Sequence, residues 1–569
     1  MKKIIISAGL ILAATAFAGA QNMYDAINFS QNNYFGTARS MALGNAVTAL
    51  GGDLGSVGIN PAGSAVAPYG QFVITPGFTL STVSSAYSPE GEQAYGLGFD
   101  VTKTRMNIPN IGMSFNFETG NRYGLKSVTF GILSNQTDNY NFSSEAFGNN
   151  ALTSKLAEFA NAAWGYPEVV LKEYGSFNNS DVPWDILTAY QANMINIYGW
   201  DGDYVGATEA LADDAAYHYV PGALAQTSYR NKRGSKNDLV LNVGFNCSDR
   251  VYFGFNLGLP TARYRYSESF VERPVNGSEF AMEFDNSGRL TTLLSGNYNY
   301  QYLADVGGVY AKVGVILRPV KGLRLGASFQ TPTAYTISET WQYGASTRFD
   351  DSYYSKSASS PQGEYSYNLR SPYIASFGAA FTFGKSGFIS ADYELTDYSV
   401  MRFSEVNNRR RVDDTFMKQN WTNKYFAGVS HAFRLGAELR VSPELSLRAG
   451  YSVTTSPERW WTDSAGQKVT ADDFSRDFDD YFDGDKKLVS SHRYNDNTSA
   501  WSAGIGYSSP GSFFMDAVVR LTSYPVSTFA PYYDYDGFDS HGNEQSVESP
   551  RVLTHYNLWN AALTLGWRF

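Results

Sequence analysis

The last thirteen residues of the sequence, 557–569, alternate strictly between two sets of side chains, and this pattern constrains the fold more than any other feature. The first set is Asn557, Trp559, Ala561, Leu563, Leu565, Trp567 and Phe569, and the second is Leu558, Asn560, Ala562, Thr564, Gly566 and Arg568. Successive side chains of a β-strand point to opposite faces. From Asn560 onward, the face formed by the first set is therefore apolar with aromatic ends, and the face formed by the second set carries small or polar side chains. A strand that is apolar outside and polar inside is typical of a transmembrane β-barrel.

The same alternation recurs along the chain, which a single hairpin does not explain. The clearest copies are residues 239–246, 253–259, 323–330, 445–453 and 501–508. Arg324, Arg448 and Arg568 all fall on the face that is predicted to point inward. An arginine that faced lipid at mid-depth would cost about 2–4 kcal/mol, so the membrane favours the inward assignment.

The composition fits a barrel and excludes several other classes. The chain contains 41 Tyr, 37 Phe, 10 Trp and 53 Gly, as expected for aromatic girdles and close strand packing. Beyond the N-terminal region, no apolar run reaches the roughly 18 residues that a membrane helix needs. Composition alone leaves a soluble, exported all-β protein open as the alternative. The net charge of -10 makes nucleic acid an unexpected partner, and the single cysteine, Cys247, cannot form a disulfide within the chain.

Residues 1–20 have the features of a secretory signal peptide. Lys2 and Lys3 precede an apolar stretch over 4–17, and Ala18-Gly19-Ala20 has the small-x-small form that signal peptidase requires. Residue 21 is Gln rather than Cys, so we expect an ordinary exported protein rather than a lipoprotein.

Turn residues and strand patterns together predict fourteen strands. Six short connections carry turn residues near 118–121, 247–249, 319–322, 384–387, 442–443 and 509–511. Seven long connections lie near 85–105, 136–236, 267–297, 345–362, 404–423, 458–496 and 527–551. The predicted strand cores are 71–84, 106–118, 126–136, 237–247, 250–266, 298–318, 322–344, 363–383, 386–403, 424–441, 444–457, 497–509, 511–526 and 552–569. An even count places both ends of the barrel on the short-turn side, which we expect to be periplasmic, so the long loops are expected to be extracellular.

The longest connection, 136–236, is predicted to contain helices. A first helix carries Leu152, Leu156, Phe159 and Ala163 on one face. A second helix begins at Asp181, with Pro183 near its start, and ends before Gly199. The third segment, 208–217, is rich in alanine. One interpretation is that the helices pack on each other as a small cap. The other is an external apolar groove that receives a hydrophobic ligand. Its lining would be Leu152, Leu156, Phe159, Tyr190, Met194 and Ile197.

Residues 21–69, between the signal peptide and the first strand, do not alternate and are rich in glycine. They contain G-x-A-R-x-M-x-L-G-x-A-x-x-A at 36–49, followed by N-P-A-G at 60–63. Such a segment at the periplasmic end of a barrel can fold into the lumen as a plug. Pro61 biases Asn60 toward extended backbone and Gly63 permits a tight exit, so we expect a fixed corner here.

These two motifs resemble the start of the FadL/TodX family of outer-membrane transporters for long-chain fatty acids and hydrocarbons. The resemblance covers 36–63 by motif and the rest by strand count, loop order and the terminal Phe569. It implies an all-β fold, namely a 14-stranded antiparallel transmembrane β-barrel over 70–569. An N-terminal hatch, or plug, over 21–69 is expected to lie in the lumen, and one long extracellular loop is expected to be partly helical. The hatch positions implied by the motif are Gly36, Arg39, Gly44, Asn60, Pro61 and Ala62. The family's large helical loops follow later strand pairs, whereas here the largest follows the third predicted strand.

The resemblance also implies a function. The expected activity is passive uptake of hydrophobic small molecules such as long-chain fatty acids through a hatch-gated barrel, with no cofactor. Family members release ligand sideways through a kink in an early strand, and Gly131 is the candidate kink. Phe569 is the expected assembly signal for the barrel assembly machinery. The expected location is the cell outer membrane, in contact with its lipid, as a monomer with periplasmic termini.

No enzymatic site is predicted, because the five histidines are scattered and no Gly-x-Ser-x-Gly motif is present. Acidic clusters at 472–485 and 534–539 lack EF-hand spacing, so a solvated surface is preferred to a calcium site. One alternative function is an interaction platform or assembly subunit of a secretion or surface complex, in which the long tyrosine-rich loops hold a partner protein. Heme is an alternative cargo, although no pair of histidines or tyrosines suits its iron.

Overall fold

A computed structural model of the protein describes residues 22–88, 98–211, 217–285, 288–406 and 415–569. The predicted signal peptide, 1–20, lies outside the described residues. Across these ranges, no helix combines the length and the apolar character that crossing a membrane requires.

Fourteen antiparallel strands form one closed sheet in chain order. Nine are continuous: β1 (Gln71–Ser88), β2 (Phe99–Glu118), β4 (Leu224–Cys247), β5 (Val251–Pro274), β6 (Leu293–Val320), β10 (Val429–Arg440), β11 (Leu445–Thr455), β12 (Asn497–Ser508) and β14 (Arg551–Arg568). Five are interrupted: β3 (Leu125–Asn139, Phe142–Ala151), β7 (Leu323–Gln330, Ala334–Phe349), β8 (Gly363–Arg370, Ile374–Thr382), β9 (Gly387–Asp397, Arg402–Glu405) and β13 (Phe513–Ser523, Ser527–Phe529).

Strands β1 and β14 close the barrel. They pair from Gln71 opposite Arg568 to Ser88 opposite Arg551. The predicted 14-stranded barrel is therefore confirmed. Several strand boundaries differ from the prediction. The strand predicted from 424 begins at Val429, because Met417–Phe426 form a helix whose last residue is fully buried.

The outward faces of the strands form an apolar band. On β14, Trp559 and Trp567 are 42% and 41% exposed, whereas Asn560 and Thr564 on the opposite face are 4% and 0% exposed. Aromatic rings pair along both rims of the band, as Phe115–Phe569, Phe381–Phe383 and Phe513–Trp567 near the short turns, and as Phe329–Tyr373 and Tyr451–Trp501 near the long loops. Aromatic girdles of this kind mark the two interfaces of a membrane.

The barrel is much taller on one side. Strands β4, β5 and β6 have 24, 24 and 28 residues, whereas β10 to β12 and the first segment of β13 have 11 or 12. A crossing needs roughly 9–11 residues. The outward face of β5 changes from apolar at Leu259 to polar at Thr261, and that of β6 changes between Val309 and Asp305. The upper parts of these strands therefore stand clear of the apolar band.

The connection between β3 and β4 folds into a helical cap. Its helices are α4 (Lys155–Ala163), α5 (Glu168–Lys172), α6 (Ser176–Asn179) and α7 (Trp184–Gln191), and its short strands are Ile195–Ile197 with Tyr204–Gly206 and Ala210–Leu211 with His218–Tyr219. Ser154 caps α4 by accepting from the amides of Leu156 and Ala157. The second helix ends earlier than predicted, because Asn193 adopts a positive φ of 53° and an extended segment follows. Of the third predicted helix, Ala210–Leu211 is a strand and 212–216 lie outside the described residues.

The other long loops carry short elements. These are three helices, α8 (Met417–Phe426), α9 (Ala471–Arg476) and α10 (Phe478–Phe482), the 3-10 turns Gly277–Phe280 and Tyr398–Val400, and the strands Met282–Glu283, Leu290–Thr291, Ser357–Ser359, Arg459–Asp463, Lys468–Val469, Leu488–Arg493, Tyr535–Phe538 and Glu544–Val547. Aromatic side chains of α8, α9 and α10 pack inward on the loop side of the lumen.

Phe569 holds the lower end of the β1–β14 seam. It exchanges two backbone hydrogen bonds of 2.9 Å with Gly70, and its ring lies 5.7 Å from that of Phe115. We expect Phe569→Ala to lower the yield of assembled barrel several-fold, because the ring contact at the seam is lost. Heat-modifiable gel mobility measures the folded fraction. The control is Tyr123→Ala, at an exposed ring on the same rim, and equal folded fractions for the two variants would contradict the prediction.

Candidate functional site

The N-terminal segment lies inside the barrel. It contains α1 (Met23–Ser30), α2 (Ala38–Ala42), α3 (Leu54–Val57) and a 3-10 helix (Pro61–Val66), and most of its residues from Phe29 onward are buried. Wall side chains donate hydrogen bonds to its backbone carbonyls, from Asn242 to Pro61, Asn256 to Val57, Lys312 to Gly58, Ser328 to Ile59, Ser502 to Ala42 and Arg520 to Tyr34. A buried carbonyl without a partner is costly, so these donors explain how an irregular chain is stable there.

Asn60 and Pro61 form a corner that touches the wall. The Asn60 amide nitrogen donates to the carbonyl of Thr48 at 2.7 Å and to that of Val315 on β6 at 3.2 Å, while its Oδ1 accepts from the Ala62 amide at 3.1 Å. Pro61 begins the 3-10 helix, where a missing N–H costs nothing. Ala62 is fully buried beside Tyr252. The corner therefore links the hatch to the wall.

Glycines in the wall make room for the hatch. A Cβ at Gly314 would lie 1.9 Å from Asn60 Oδ1, and one at Gly254 would lie 2.2 Å from the carbonyl carbon of Pro61. Further close approaches of this kind occur at Gly244, Gly326, Gly436, Gly450 and Gly504. The inner wall is thus shaped to this one segment.

Arg39 connects α2 to buried charges of the wall. Its Nε lies 3.3 Å from Glu438 Oε2, which also pairs with Arg448 Nε at 2.7 Å, and Arg448 pairs in turn with Asp516. The side chains of Glu438, Arg448 and Asp516 are only 6–7% exposed. Buried ion pairs of this kind are costly to break singly, because a lone charge is left behind.

Gly36 and Gly44 lie where the hatch turns tightly. Gly44 has a φ of +62°, which favours glycine, and a Cβ there would lie 2.9 Å from the Tyr451 backbone nitrogen of β11. A Cβ at Gly36 would lie 3.3 Å from the Gly55 Cα. Together with Arg39, Asn60, Pro61 and Ala62, all six motif positions of the hatch therefore lie at contacts within the hatch or with the wall.

A chamber of about 340 Å³ lies between the hatch and the barrel wall. Ile27 and Gln31 of the hatch line one side, and Tyr140 and Phe142 from β3 line another. Charged side chains also border it, including Lys232 and the Glu394–Arg434 pair, whose closest nitrogen–oxygen distance is 2.9 Å. The chamber is therefore amphipathic, with aromatic and charged walls.

Lys232 is the cation in this chamber that has no ion-pair partner among the described residues. Its ammonium lies 5.5 Å from the centre of the Phe142 ring. Asp25 on α1 is buried nearby, with one carboxylate oxygen unpartnered in the described chain. Burial, with repulsion from Glu339, raises the pKa of the Asp25 carboxyl to about 8. Because this carboxyl is mostly protonated at neutral pH, it leaves the Lys232 ammonium open to an anionic group in the chamber.

A seam opens between β2 and β3 beside the chamber. The two strands pair only from Asn110 to Glu118 of β2, opposite Ser127 to Asn135 of β3. Above this, β2 pairs with β1 alone among the described strands, and β3 shifts register against β4 between Gln136 and Asp138. The Asn107 side chain donates to Gln136 Oε1 at 2.6 Å across the seam.

Gly131 is not a kink, contrary to the prediction. It pairs regularly with Ser114 of β2 and with Asn242 of β4. The irregular positions are the shift at Gln136 and a bulge in β1 between Thr75 and Gly77. Strands β2 and β3 separate where the hydrogen bonds between them end, and Gly131 does not cause this separation.

The predicted external groove is not open in this structure. Leu156, Phe159, Tyr190 and Met194 are buried in the core of the cap, and Ile197 packs against it. Leu152 precedes α4 and is exposed. These helices bury their apolar stripes against each other and against β6 and β7, as the cap interpretation states.

The remaining polar clusters have structural roles. In the acidic loop, Asp473 forms a capping box with Thr470, and Asp477 pairs with Arg476 and Lys486. His492 stacks on Trp460 and His431 hydrogen-bonds to Tyr393. Among the described residues, no cluster of three or more His, Cys, Asp or Glu side chains is arranged to hold a metal.

The wall glycines and Lys232 were not predicted from the sequence. The only signal for the glycines was their position on the inward face of alternating strands, as at Gly244, Gly450 and Gly504. Lys232 gave no signal, because it lies beyond the apolar band, where the alternation ends.

The fold and the filled lumen define a transmembrane β-barrel of the outer-membrane type with an internal N-terminal segment. No protein-family model matches the chain, and no curated protein matches it in sequence.

In structure, the chain is similar to a FadL homologue of Pseudomonas aeruginosa, with 11% identity, coverage of 94% of this chain and 98% of that chain, and a TM-score of 0.46. It is also similar to the Pseudomonas putida toluene transporter TodX, with 10% identity, coverage of 94% and 99%, and a TM-score of 0.45. The Ralstonia pickettii toluene transporter TbuX gives 13% identity, coverage of 94% and 99%, and a TM-score of 0.42. The fold assignment rests on the strand pairing of this chain.

Proposed function

We propose that the protein is a passive outer-membrane transporter for amphipathic hydrophobic molecules such as long-chain fatty acids. The observation that carries this proposal is the chamber, which is bordered by the hatch and by the part of β3 that leaves β2. Its volume of about 340 Å³ is within the range of roughly 300–1,000 Å³ that is typical of small-molecule sites. A molecule in the chamber is separated from the periplasm by the hatch and from the membrane by the seam.

The chamber lining supports an amphipathic cargo rather than a pure hydrocarbon. Tyr140, Phe142 and Tyr264 supply apolar surface for a chain, and Lys232 supplies a cation for a carboxylate. A charge-assisted hydrogen bond between ammonium and carboxylate is stronger than a neutral one. The carboxylate of a fatty acid would therefore lie at Lys232, with its chain along the aromatic side.

Two exits are available from this chamber. The first is sideways through the upper part of the seam between β2 and β3, where Asn107 and Gln136 form a polar link. The second is downward, which requires the corner at Asn60 and Pro61 to move away from β6. We assign the gate to the hatch and the seam together, since α1 of the hatch and the part of β3 beside the seam line the chamber.

Lys232→Gln is expected to weaken oleate binding about tenfold, because a hydrogen bond to a charged group contributes about 1.5–3 kcal/mol. Binding of oleyl alcohol, which has no carboxylate, should change little. Equilibrium binding of labelled ligands to the purified protein measures both affinities. Lys321→Gln removes one charge from an exposed short turn and serves as the matched control.

Two outcomes would contradict different parts of the proposal. Unchanged oleate affinity in Lys232→Gln would show that this lysine does not bind the carboxylate. Absence of any saturable binding of oleate or oleyl alcohol to the unmodified protein would contradict the transport function.

Further parts of the proposal concern the whole chain in the cell. We propose export by residues 1–20, a monomer with periplasmic termini, and assembly through Phe569 by the barrel assembly machinery. The six hatch residues of the motif are proposed to hold and gate the plug, and no cofactor takes part.

One observation favours the alternative of an interaction platform. Trp164 and Trp200 on the cap are 58% and 57% exposed, and their ring centres lie 6.3 Å apart. Exposed tryptophans of this kind are frequent anchors of protein interfaces. A stoichiometric partner that purifies with the native chain, and that is lost from Trp164→Ala/Trp200→Ala, would support this function.

A further inference from the structure

Two arginines oppose each other directly on the outer wall above the apolar band. Arg233 of β4 and Arg265 of β5 are cross-strand partners, and both side chains are exposed. They face outward, because Lys236 and Tyr264 of the same strands are buried on the lumen side. Like charges that stand opposite each other in a sheet destabilise the pair.

The chain does not neutralise this pair in its described part. Neither Arg233 nor Arg265 belongs to an ion pair among the described residues, and Arg233 only donates to Asn231 Oδ1 at 3.4 Å. A third arginine, Arg105 of β2, interacts electrostatically with Arg233, but it pairs with the buried Thr79 of β1 and therefore lies on the lumen-facing side of β2. The next outward arginine, Arg263, is different, because it pairs with Asp305 at 2.9 Å. The charges of Arg233 and Arg265 are therefore available to an external anion.

A polar depression of about 530 Å³ lies between these arginines and the apolar band. Hydroxyl and amide side chains line it, namely Ser235, Asn237, Thr261, Thr336 and Ser338, together with the Arg263–Asp305 ion pair. Gly307 leaves open space there, because a Cβ at this position would meet no atom within 4 Å. A surface rich in hydroxyl and amide groups suits the hydroxyl groups of a sugar.

The order of these surfaces along the strands matches a lipid with a tall headgroup. On β4, Leu239 ends the apolar band, Asn237 and Ser235 follow, and Arg233 comes six residues above Leu239. Six residues of strand correspond to about 20 Å, and to less in height because the strands tilt by about 35–45°. Acyl chains would therefore face Leu239, sugars the depression, and a phosphate the arginines.

We propose that this face binds a phosphorylated glycolipid of the outer leaflet. The guanidinium groups of Arg233 and Arg265 take a phosphate on the headgroup, for which arginine offers paired donors. The lipid therefore stands against the outer faces of β4 and β5. This inference concerns the outer wall and is independent of what the lumen carries.

The test measures lipid affinity of the detergent-solubilised full chain. A diphosphorylated diglucosamine lipid, its dephosphorylated form and phosphatidylglycerol are titrated separately, with inorganic pyrophosphate as a competitor. We expect the diphosphorylated glycolipid to bind at least tenfold more tightly than the other two lipids. Arg233→Gln/Arg265→Gln should lose at least tenfold in affinity for it, and Gly307→Phe, which fills the depression without a change of charge, should lose affinity as well.

The control is Lys321→Gln/Lys385→Gln, which removes two charges from exposed short turns on the opposite rim. Heat-modifiable mobility shows that each variant is folded. Equal affinity of the arginine variant and the unmodified chain would overturn the proposal. So would equal binding of the dephosphorylated glycolipid or of phosphatidylglycerol, or full displacement by pyrophosphate at a concentration equal to that of the lipid.

Discussion

Gly314→Ala is expected to unseat the hatch and to make the outer membrane leaky. The added methyl would lie 1.9 Å from Asn60 Oδ1 and 2.8 Å from Pro61 Cδ, so either the corner or the wall must move. Overpacking of this kind costs about 1–3 kcal/mol or more. Cells that carry the variant should become at least tenfold more sensitive to a large hydrophilic antibiotic that an intact outer membrane excludes.

Gly307→Ala is the matched control for this effect. Gly307 lies on the same strand, seven positions away, and a Cβ there would meet no atom within 4 Å. It should leave both assembly and permeability unchanged. If Gly314→Ala assembles normally and antibiotic sensitivity equals that of the control, the corner at Asn60 does not seal the lumen.

Arg448→Leu is expected to lower the free energy of unfolding by about 3–5 kcal/mol. The reason is that the buried carboxylates of Glu438 and Asp516 lose the cation that pairs with both of them. Glu438 would keep only its 3.3 Å contact with Arg39. Reversible unfolding of the detergent-folded protein in guanidinium chloride measures the change.

An exposed ion pair supplies the comparison for Arg448. Arg263 and Asp305 are 58% and 52% exposed, so Arg263→Leu should change the free energy of unfolding by only about 0–1 kcal/mol. Similar losses for the two variants would show that burial of the Arg448 network does not determine its contribution.

The strands within the membrane were predictable, because lipid demands an apolar side chain at every second position. The faces of β14 agree with that pattern. The upper part of β4 was not predicted, because water tolerates polar side chains on its outward face and the alternation is lost above Leu239. The predicted strand began at 237, whereas the observed one begins at Leu224.

The site was predictable only where a motif marks a backbone constraint. Gly44 and Asn60 lie at the tight turn and the corner that their residue types suggest. The apolar stripe of Leu156 and Phe159 correctly indicated that these side chains are buried. It did not indicate which parts of the chain cover them. The prediction of a strand kink at Gly131 was wrong, because the separation of two strands depends on where their pairing ends, and the sequence does not encode this locally.

The match between wall glycines and the hatch has a consequence for the order of events during folding. The hatch runs directly through Gly70 into β1, and β1 pairs with β14 to form the last seam. A wall that closed empty would leave inward donors such as Asn256 and Lys312 without the hatch carbonyls that accept from them. The hatch must therefore be enclosed while the sheet is still open, so a protease should cleave it only in chains whose first and last strands have not yet met.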